Sequence, residues 1–266
     1  DAIRQDVKEH LKAECKEIWI TSNDTGAYMA EQGGKQKLIE LLEQILTIPI
    51  DFKLRLGMMN PGNTIIILDE LIETYKHPKM FKFLHIPIQS GNNEILKSMN
   101  RKYTVEDFVD VVDAFRKEIP EITISTDIIV GFPSETDAQF EDSLKIIKKI
   151  KPDVLNLSRY AAREGTIAAK MKQLQTNTLK QRSRIMTNIY RQIAFENNKK
   201  WLNWNGKVLI DEKGTNDSWI GRNYCYKPVV VKGNFNLGDE IDVKIFDVTE
   251  FDLRGEWNTN TLEEKS

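Results

Sequence analysis

The chain has 266 residues, 40% apolar and 29% charged, enough to bury a sizeable core as one large domain or as a large domain joined to a small one. Lys+Arg 38 against Asp+Glu 40 leaves a formal charge of −2, so bulk charge does not announce a nucleic-acid partner, and any such partner has to be read from local patches. No run approaches the roughly 18 apolar residues of a membrane span, and the first residues are too polar for a signal peptide, so a cytoplasmic protein without a membrane partner is expected.

Apolar, β-rich runs occur at 17–21, 52–58, 82–88, 122–130 and 154–158, and amphipathic stretches with three- and four-residue spacing lie between them at 38–46, 65–75, 105–118 and 140–150. Strands that restart with this rhythm are βα units of a parallel sheet or barrel. No G-x-G-x-x-G follows the first strand, which disfavours a dinucleotide-binding fold. In βα barrels chemistry sits at the carboxyl ends of strands, and these ends are polar here. Thr21 to Gly26 follow the first strand, Gly57 to Pro61 the second, Gln89-Ser90-Gly91 the third, Gly131 to Glu135 the fourth and Arg159 to Thr166 the fifth. Thr104, Ser134 and Thr136, each followed by acids, also read as helix caps. Asn23-Asp24 and Gln89-Ser90-Gly91, directly atop buried strands, read as ligand-binding.

A helix is expected over 178–201. The stretch 163–200 carries nine Lys/Arg against two Glu, a local asymmetry that suits a phosphate-tracking surface, although charge runs are also ordinary solvated faces. After 205 the helical period stops. Short strands at 207–211, 219–222, 228–232, 240–246 and 251–257, punctuated by glycine, predict a closed five-stranded β-barrel. Cys15 and Cys225 are far apart and read as small buried residues. His10, His77 and His85 form no metal-type pair, which argues against a hydrolase with a histidine metal site. His85 is expected to pack within its strand or donate to a backbone carbonyl.

The strings TSNDTGAY at 21–28, LRLGMMNP at 54–61, FLHIPIQSG at 83–91 and STDIIVGFPSET at 125–136, in this order and spacing, resemble the archaeal and eukaryotic tRNA methylthiotransferases of the radical S-adenosylmethionine class. GRNY at 221–224 and YKPVVV at 226–231 look like the RNA-binding TRAM domain of those enzymes. The resemblance implies an α/β fold: a partial (βα)6 barrel lacking its first strand over 1–177, a basic connecting helix over 178–202, a small all-β TRAM barrel over 203–258 and a tail at 259–266. It also implies an enzyme that uses S-adenosylmethionine and 4Fe–4S clusters to add a methylthio group to C2 of N6-threonylcarbamoyladenosine in tRNA, with an electron donor such as a flavodoxin or ferredoxin. By position, Ser22, Asn23 and Asp24 would hold the amino group of S-adenosylmethionine. Gln89 and Ser90 would lie near its ribose and methionine, with Gly91 allowing close approach. Ile129, Val130 and Gly131 would line its adenine, and Arg55 and Arg163 would contact carboxylate or phosphate. RNA contacts are expected from Arg182, Arg184, Arg191, Trp219, Arg222, Tyr226 and Lys227.

The family's C-x-x-x-C-x-x-C and a second set of three cysteines have no counterpart among the 266 residues, so this chain alone is expected to bind no cluster and to be inactive. Position 134 is Ser where Gly is usual. Glu164-Gly165 is similar to ribosomal-protein methylthiotransferases. A non-catalytic RNA-binding remnant and a ribosomal-protein modifier are the alternatives.

Overall fold

A computed structural model describes residues 2–29 and 37–257; the expected tail at 259–266 lies outside the described residues. Five parallel strands, β1 (Glu17–Ile20), β2 (Lys53–Leu56), β3 (Phe83–His85), β4 (Thr123–Val130) and β5 (Val154–Arg159), stand in chain order. β1 pairs with β2, and β3, β4 and β5 form a second run. The two runs meet through a parallel bridge between Leu54 and Met80 and the Phe81 N–H bonded to the Leu54 carbonyl at 2.9 Å. Helices occupy the connections: α1 (Ala2–Lys12), α2 (Lys37–Leu46), α3 (Pro61–Thr64), α4 (Leu68–Lys76), α5 (Asn93–Ser98), α6 (Val105–Glu118), α7 (Asp137–Ile150), α8 (Ile167–Lys170) and α9 (Thr176–Lys199).

The core lies between strands and helices, with Leu42, Leu54, Leu71, Leu84, Val112, Phe115 and Ile124 all fully buried. Each such side chain contributes about 1.5–3 kcal/mol by leaving water. Alternation does the sorting along β4: Ile124, Ile128 and Val130 are buried, while Asp127 and Ile129 are only half-buried on the opposite, concave face. Two expected elements come out differently. The helix over 65–75 begins earlier, because Pro61 is an ideal first helical residue and Asn60 accepts from the Asn63 N–H; a 3-10 turn at Ile65–Ile67 then separates α3 from α4. The third strand ends at His85 rather than Ile88, because Pro87 has no N–H for a ladder. From there single bonds keep the chain along β4, from Ile86 N–H to the Ser125 carbonyl and from Gln89 N–H to the Asp127 carbonyl, both 2.8 Å.

Capping boxes start α6 at Thr104 with Asp107, and α7 at Thr136 with Gln139. Ser134 does not cap; it turns the chain at φ 67° and is exposed. The helix α9 packs on α7 and β5 and so completes the last βα unit rather than standing apart as a connector.

The C-terminal strands β6 (Asn205–Lys213), β7 (Ser218–Arg222), β8 (Pro228–Lys232), β9 (Glu240–Val248) and β10 (Leu253–Trp257) close into a barrel in the order β10-β8-β7-β6-β9. Val208, Ile210, Val229, Val243, Ile245 and Leu253 fill it. Residues 223–227, between β7 and β8, plug the amino end of the parallel strands. Tyr226, held at φ 60°, joins Phe81, Phe83 and Leu209 in a small apolar cluster. The Lys82 N–H donates to the Tyr224 carbonyl at 2.8 Å, and the Lys227 ammonium meets the Asp153 carboxylate at 2.7 Å and the Asn198 side chain at 3.1 Å.

Candidate functional site

The concave face of the parallel strands is polar and layered. At its amino end the Arg55 guanidinium lies over the rings of Trp19, Phe83 and Tyr226 at 4.5, 4.8 and 4.8 Å. Arg55, expected to contact a carboxylate or phosphate, instead sits in an aromatic box held by cation–π attraction, level with Phe83 and one layer below His85. In the next layer His85 Nε2 lies 2.9 Å from Asp127 Oδ1, and the Asn156 amide donates to the same oxygen at 2.8 Å. His85 therefore faces a carboxylate, not a backbone carbonyl. Neither Asp127 nor Asn156 was singled out in the sequence, although both fall on the concave register of their strands. Above this layer, at the carboxyl ends of β4 and β5, opens a cavity of 510 Å³ lined by Gln89, Arg101, Asp127, Ile129, Arg159 and Arg163 among others. Arg101 is also new, whereas Arg159 begins the fifth polar strand end of the sequence.

The expected cofactor residues divide. Ser22 and Asn23 are exposed at the end of β1, as a ligand contact requires. Asp24 is not available in that way. Its Oδ1 accepts from the Gly26 and Asn60 N–H groups at 3.1 and 3.2 Å, and its Oδ2 from the side-chain amides of Asn63, at 2.8 Å, and Asn60. It ties the end of β1 to the end of β2. Ser90 is fully buried and accepts from the Asn92 N–H at 3.3 Å. Gly91 serves packing: a Cβ there would lie 2.5 Å from the Ser143 Cα of α7, a backbone clash, so the glycine lets that helix approach. Gly131 behaves likewise, with φ 77°, a Cβ position 2.6 Å from Leu179 of α9, and its N–H donated to Glu135 at 2.8 Å. Val130 is buried in the core, whereas Ile129 and Gln89, the latter at φ 70°, face the cavity.

The expected RNA contacts divide more sharply. Arg182 is 5% exposed and bridges Glu135 Oε2 at 2.6 Å and Asp137 Oδ1 at 2.7 Å. Burial pushes the Glu135 carboxyl up, and the Gly131 N–H and the Arg182 charge counter it. Lys227 and Tyr226 are buried in the plug, and Arg222 pairs with Asp211 at 2.7 Å and stacks over Tyr226. These four are structural. Trp219 packs half-buried against the small barrel's core. Arg184 and Arg191 are exposed on the outer face of α9, Arg191 lying over Phe251 at 5.6 Å with Glu250 at 3.8 Å.

Among the described residues no three His, Cys, Asp or Glu side chains converge to hold a metal. Cys225 is buried in the small barrel, its thiol pushed up to about 12 by burial, and Cys15 is half-buried beside the larger core. The described residues thus do not fit a cluster. They do fit a nucleoside: Ile129 offers an apolar face, Tyr160 borders the same cavity, and Gln89 and Ser158 supply polar groups beside them. Among the described residues no helix is long and apolar enough to cross a membrane.

Parallel strands with helices outside and an open carboxyl end make an α/β enzyme-type barrel arc, and residues 1–147 match the Radical SAM superfamily, to which this chain belongs. Residues 207–257 match the TRAM domain. Over 93% of its length the chain is 44% identical to a probable threonylcarbamoyladenosine tRNA methylthiotransferase of Archaeoglobus fulgidus, covering 58% of that protein. It is 46% identical over 86% to one from Pyrococcus horikoshii, covering 54% of it, and 33% identical over 96% to the human threonylcarbamoyladenosine tRNA methylthiotransferase, covering 44%. The chain thus spans about half the length of the curated relatives it matches. In fold it resembles coproporphyrinogen III oxidase of Escherichia coli, a radical SAM enzyme, with a TM-score of 0.57 and 15% identity, covering 92% of this chain and 58% of that one.

Proposed function

We propose that this chain is the strand-and-helix barrel and TRAM portion of a tRNA methylthiotransferase that acts on N6-threonylcarbamoyladenosine. The observation that carries this reading is the identity of 33–46% to proteins of that name in archaea and animals, extending through both domains. S-adenosylmethionine supplies the radical chemistry and methyl group when bound; the rest concerns what these residues do. Ser22 and Asn23 offer hydrogen bonds to its amino end, Gln89 to its ribose, and Ile129 an apolar wall for its adenine. Asp24, Gly91 and Gly131 set the backbone on which those groups stand. The modified base enters the cavity beside Asp127. The exposed face of α9, with Arg184 and Arg191, and the small barrel hold tRNA by phosphate contacts. An external flavodoxin or ferredoxin supplies electrons, and the enzyme works in the cytoplasm.

The test is nucleoside analysis by mass spectrometry of total tRNA from cells with and without the intact gene. Loss of the methylthio form with accumulation of threonylcarbamoyladenosine is expected. Unchanged methylthio nucleoside in the deletion refutes the reading, and a change confined to a ribosomal protein replaces it.

A further inference from the structure

Three arginines reach the 510 Å³ cavity from three different segments. Arg101 follows α5 after a turn at Asn100, φ 58°. Arg159 ends β5 opposite Val130. Arg163 stands in the next loop, where its carbonyl accepts from Thr166 Oγ1 at 2.7 Å. All three are exposed. Elsewhere among the described residues the arginines that form ion pairs are Arg182, Arg191, Arg222 and Arg254; Arg101, Arg159 and Arg163 form none. Among the described residues the one carboxylate lining the cavity, Asp127, already has Oδ1 engaged by His85 and Asn156. Three guanidiniums against one carboxylate repel one another and leave the cavity with excess positive charge. A pocket so arranged is complementary to a planar anion, since guanidinium forks pair with a carboxylate through two parallel hydrogen bonds.

We propose that Arg101, Arg159 and Arg163 bind the threonyl carboxylate of the N6-threonylcarbamoyl group and thereby select that nucleoside over adenosine and over neutral N6 substituents. The assignment rests on the reading under Proposed function. Apart from the phosphodiester, the threonyl carboxylate is the anionic group of that nucleotide, and it projects from N6. The Ser158 hydroxyl and the oxygen of the Asn156 amide, whose N–H is held by Asp127, lie at the same cavity and suit the uncharged carbamoyl and hydroxyl groups. A neutral substituent would desolvate guanidiniums without giving them a partner, which turns the site from attractive to repulsive.

Binding of this chain to anticodon stem-loop RNAs decides the matter. Three RNAs differ only beside the anticodon: adenosine, N6-threonylcarbamoyladenosine, and the methyl ester of the latter. The acid is expected to bind about tenfold tighter than adenosine, the range of a charge-assisted hydrogen bond, and the ester no tighter than adenosine. Arg159→Gln with Arg163→Gln, and separately Arg101→Gln, are expected to remove the preference by weakening the acid loop about tenfold more than the adenosine loop. The acid-against-ester comparison on the unaltered chain needs no variant, so a misfolded variant does not rescue the idea. Equal binding of acid and ester by the unaltered chain overturns the assignment while leaving the tRNA reading intact. Failure to bind any stem-loop overturns the tRNA reading itself. Equal weakening of all three RNAs in the variants assigns the arginines to the phosphodiester and also overturns the proposal. Loss of S-adenosylmethionine binding by calorimetry with the acid preference intact would assign them to the methionine carboxylate and would do the same.

Discussion

The two ends of the parallel strands use the same residue types for opposite purposes. At the amino end, Arg55, Lys227 and Arg222 are partnered by aromatic rings or carboxylates under the plug of residues 223–227. At the carboxyl end, Arg101, Arg159 and Arg163 stand exposed without ion pairs. A cation with its partner in place holds domains together, and a cation without one is available to a ligand. Charge in the sequence does not say which it is; the partner's position does.

That contrast breaks most readily at Lys227. Lys227→Met leaves Asp153 facing a buried apolar side chain, and urea unfolding should show a loss of about 4 kcal/mol, against less than about 0.5 kcal/mol for Arg159→Gln. Equal effects would dissolve the distinction. Tyr226→Ala removes the ring shared by the apolar cluster and the Arg55 box, with an expected cost of about 3 kcal/mol. It should also raise the alkylation rate of Cys225, which is completely buried in the unaltered protein. Asp24→Ala should cost about 2 kcal/mol, because several donors lose one acceptor; an unchanged melting temperature would return Asp24 to the list of free ligand groups. Smallest in stability is Arg184→Ala with Arg191→Ala, at under about 0.5 kcal/mol. That pair should nonetheless flatten the log–log salt dependence of tRNA binding by about one unit per lost phosphate contact. Arg182→Ala should instead lose stability in urea unfolding, because Glu135 is left buried without its partner.

Much of the fold was legible because its signals are local. Buried parallel strands read as apolar runs, α6 announced itself through Thr104 and Asp107, and glycine-spaced short strands foretold the closed barrel. The family strings placed the right loops at the carboxyl ends. What stayed hidden depends on long-range pairing. Arg182 meets Glu135 across 47 positions and Lys227 meets Asp153 across 74, so neither burial could be read from a basic stretch or a TRAM-like string. Gly91 and Gly131 were expected beside a ligand; the clash each avoids in the structure is with a helix, which sequence spacing does not locate. Asp127 and Asn156 were recoverable from strand alternation alone; Arg101 was not, since its loop reaches the cavity only through the turn at Asn100.

The helix α9 also fixes a distance. Leu179 in its first turn packs on Gly131 at the carboxyl end, and near its last turn Asn198 bonds to Lys227 and the Thr249 carbonyl at the other end. Its 24 residues make a rigid spacer of about 36 Å. The cavity at one end and the small barrel at the other are therefore held at a set interval; under the proposed function, an RNA docked on the small barrel presents to the cavity only what lies that far along its own axis. Position along the RNA would then be measured by the length of a helix as well as read from its bases.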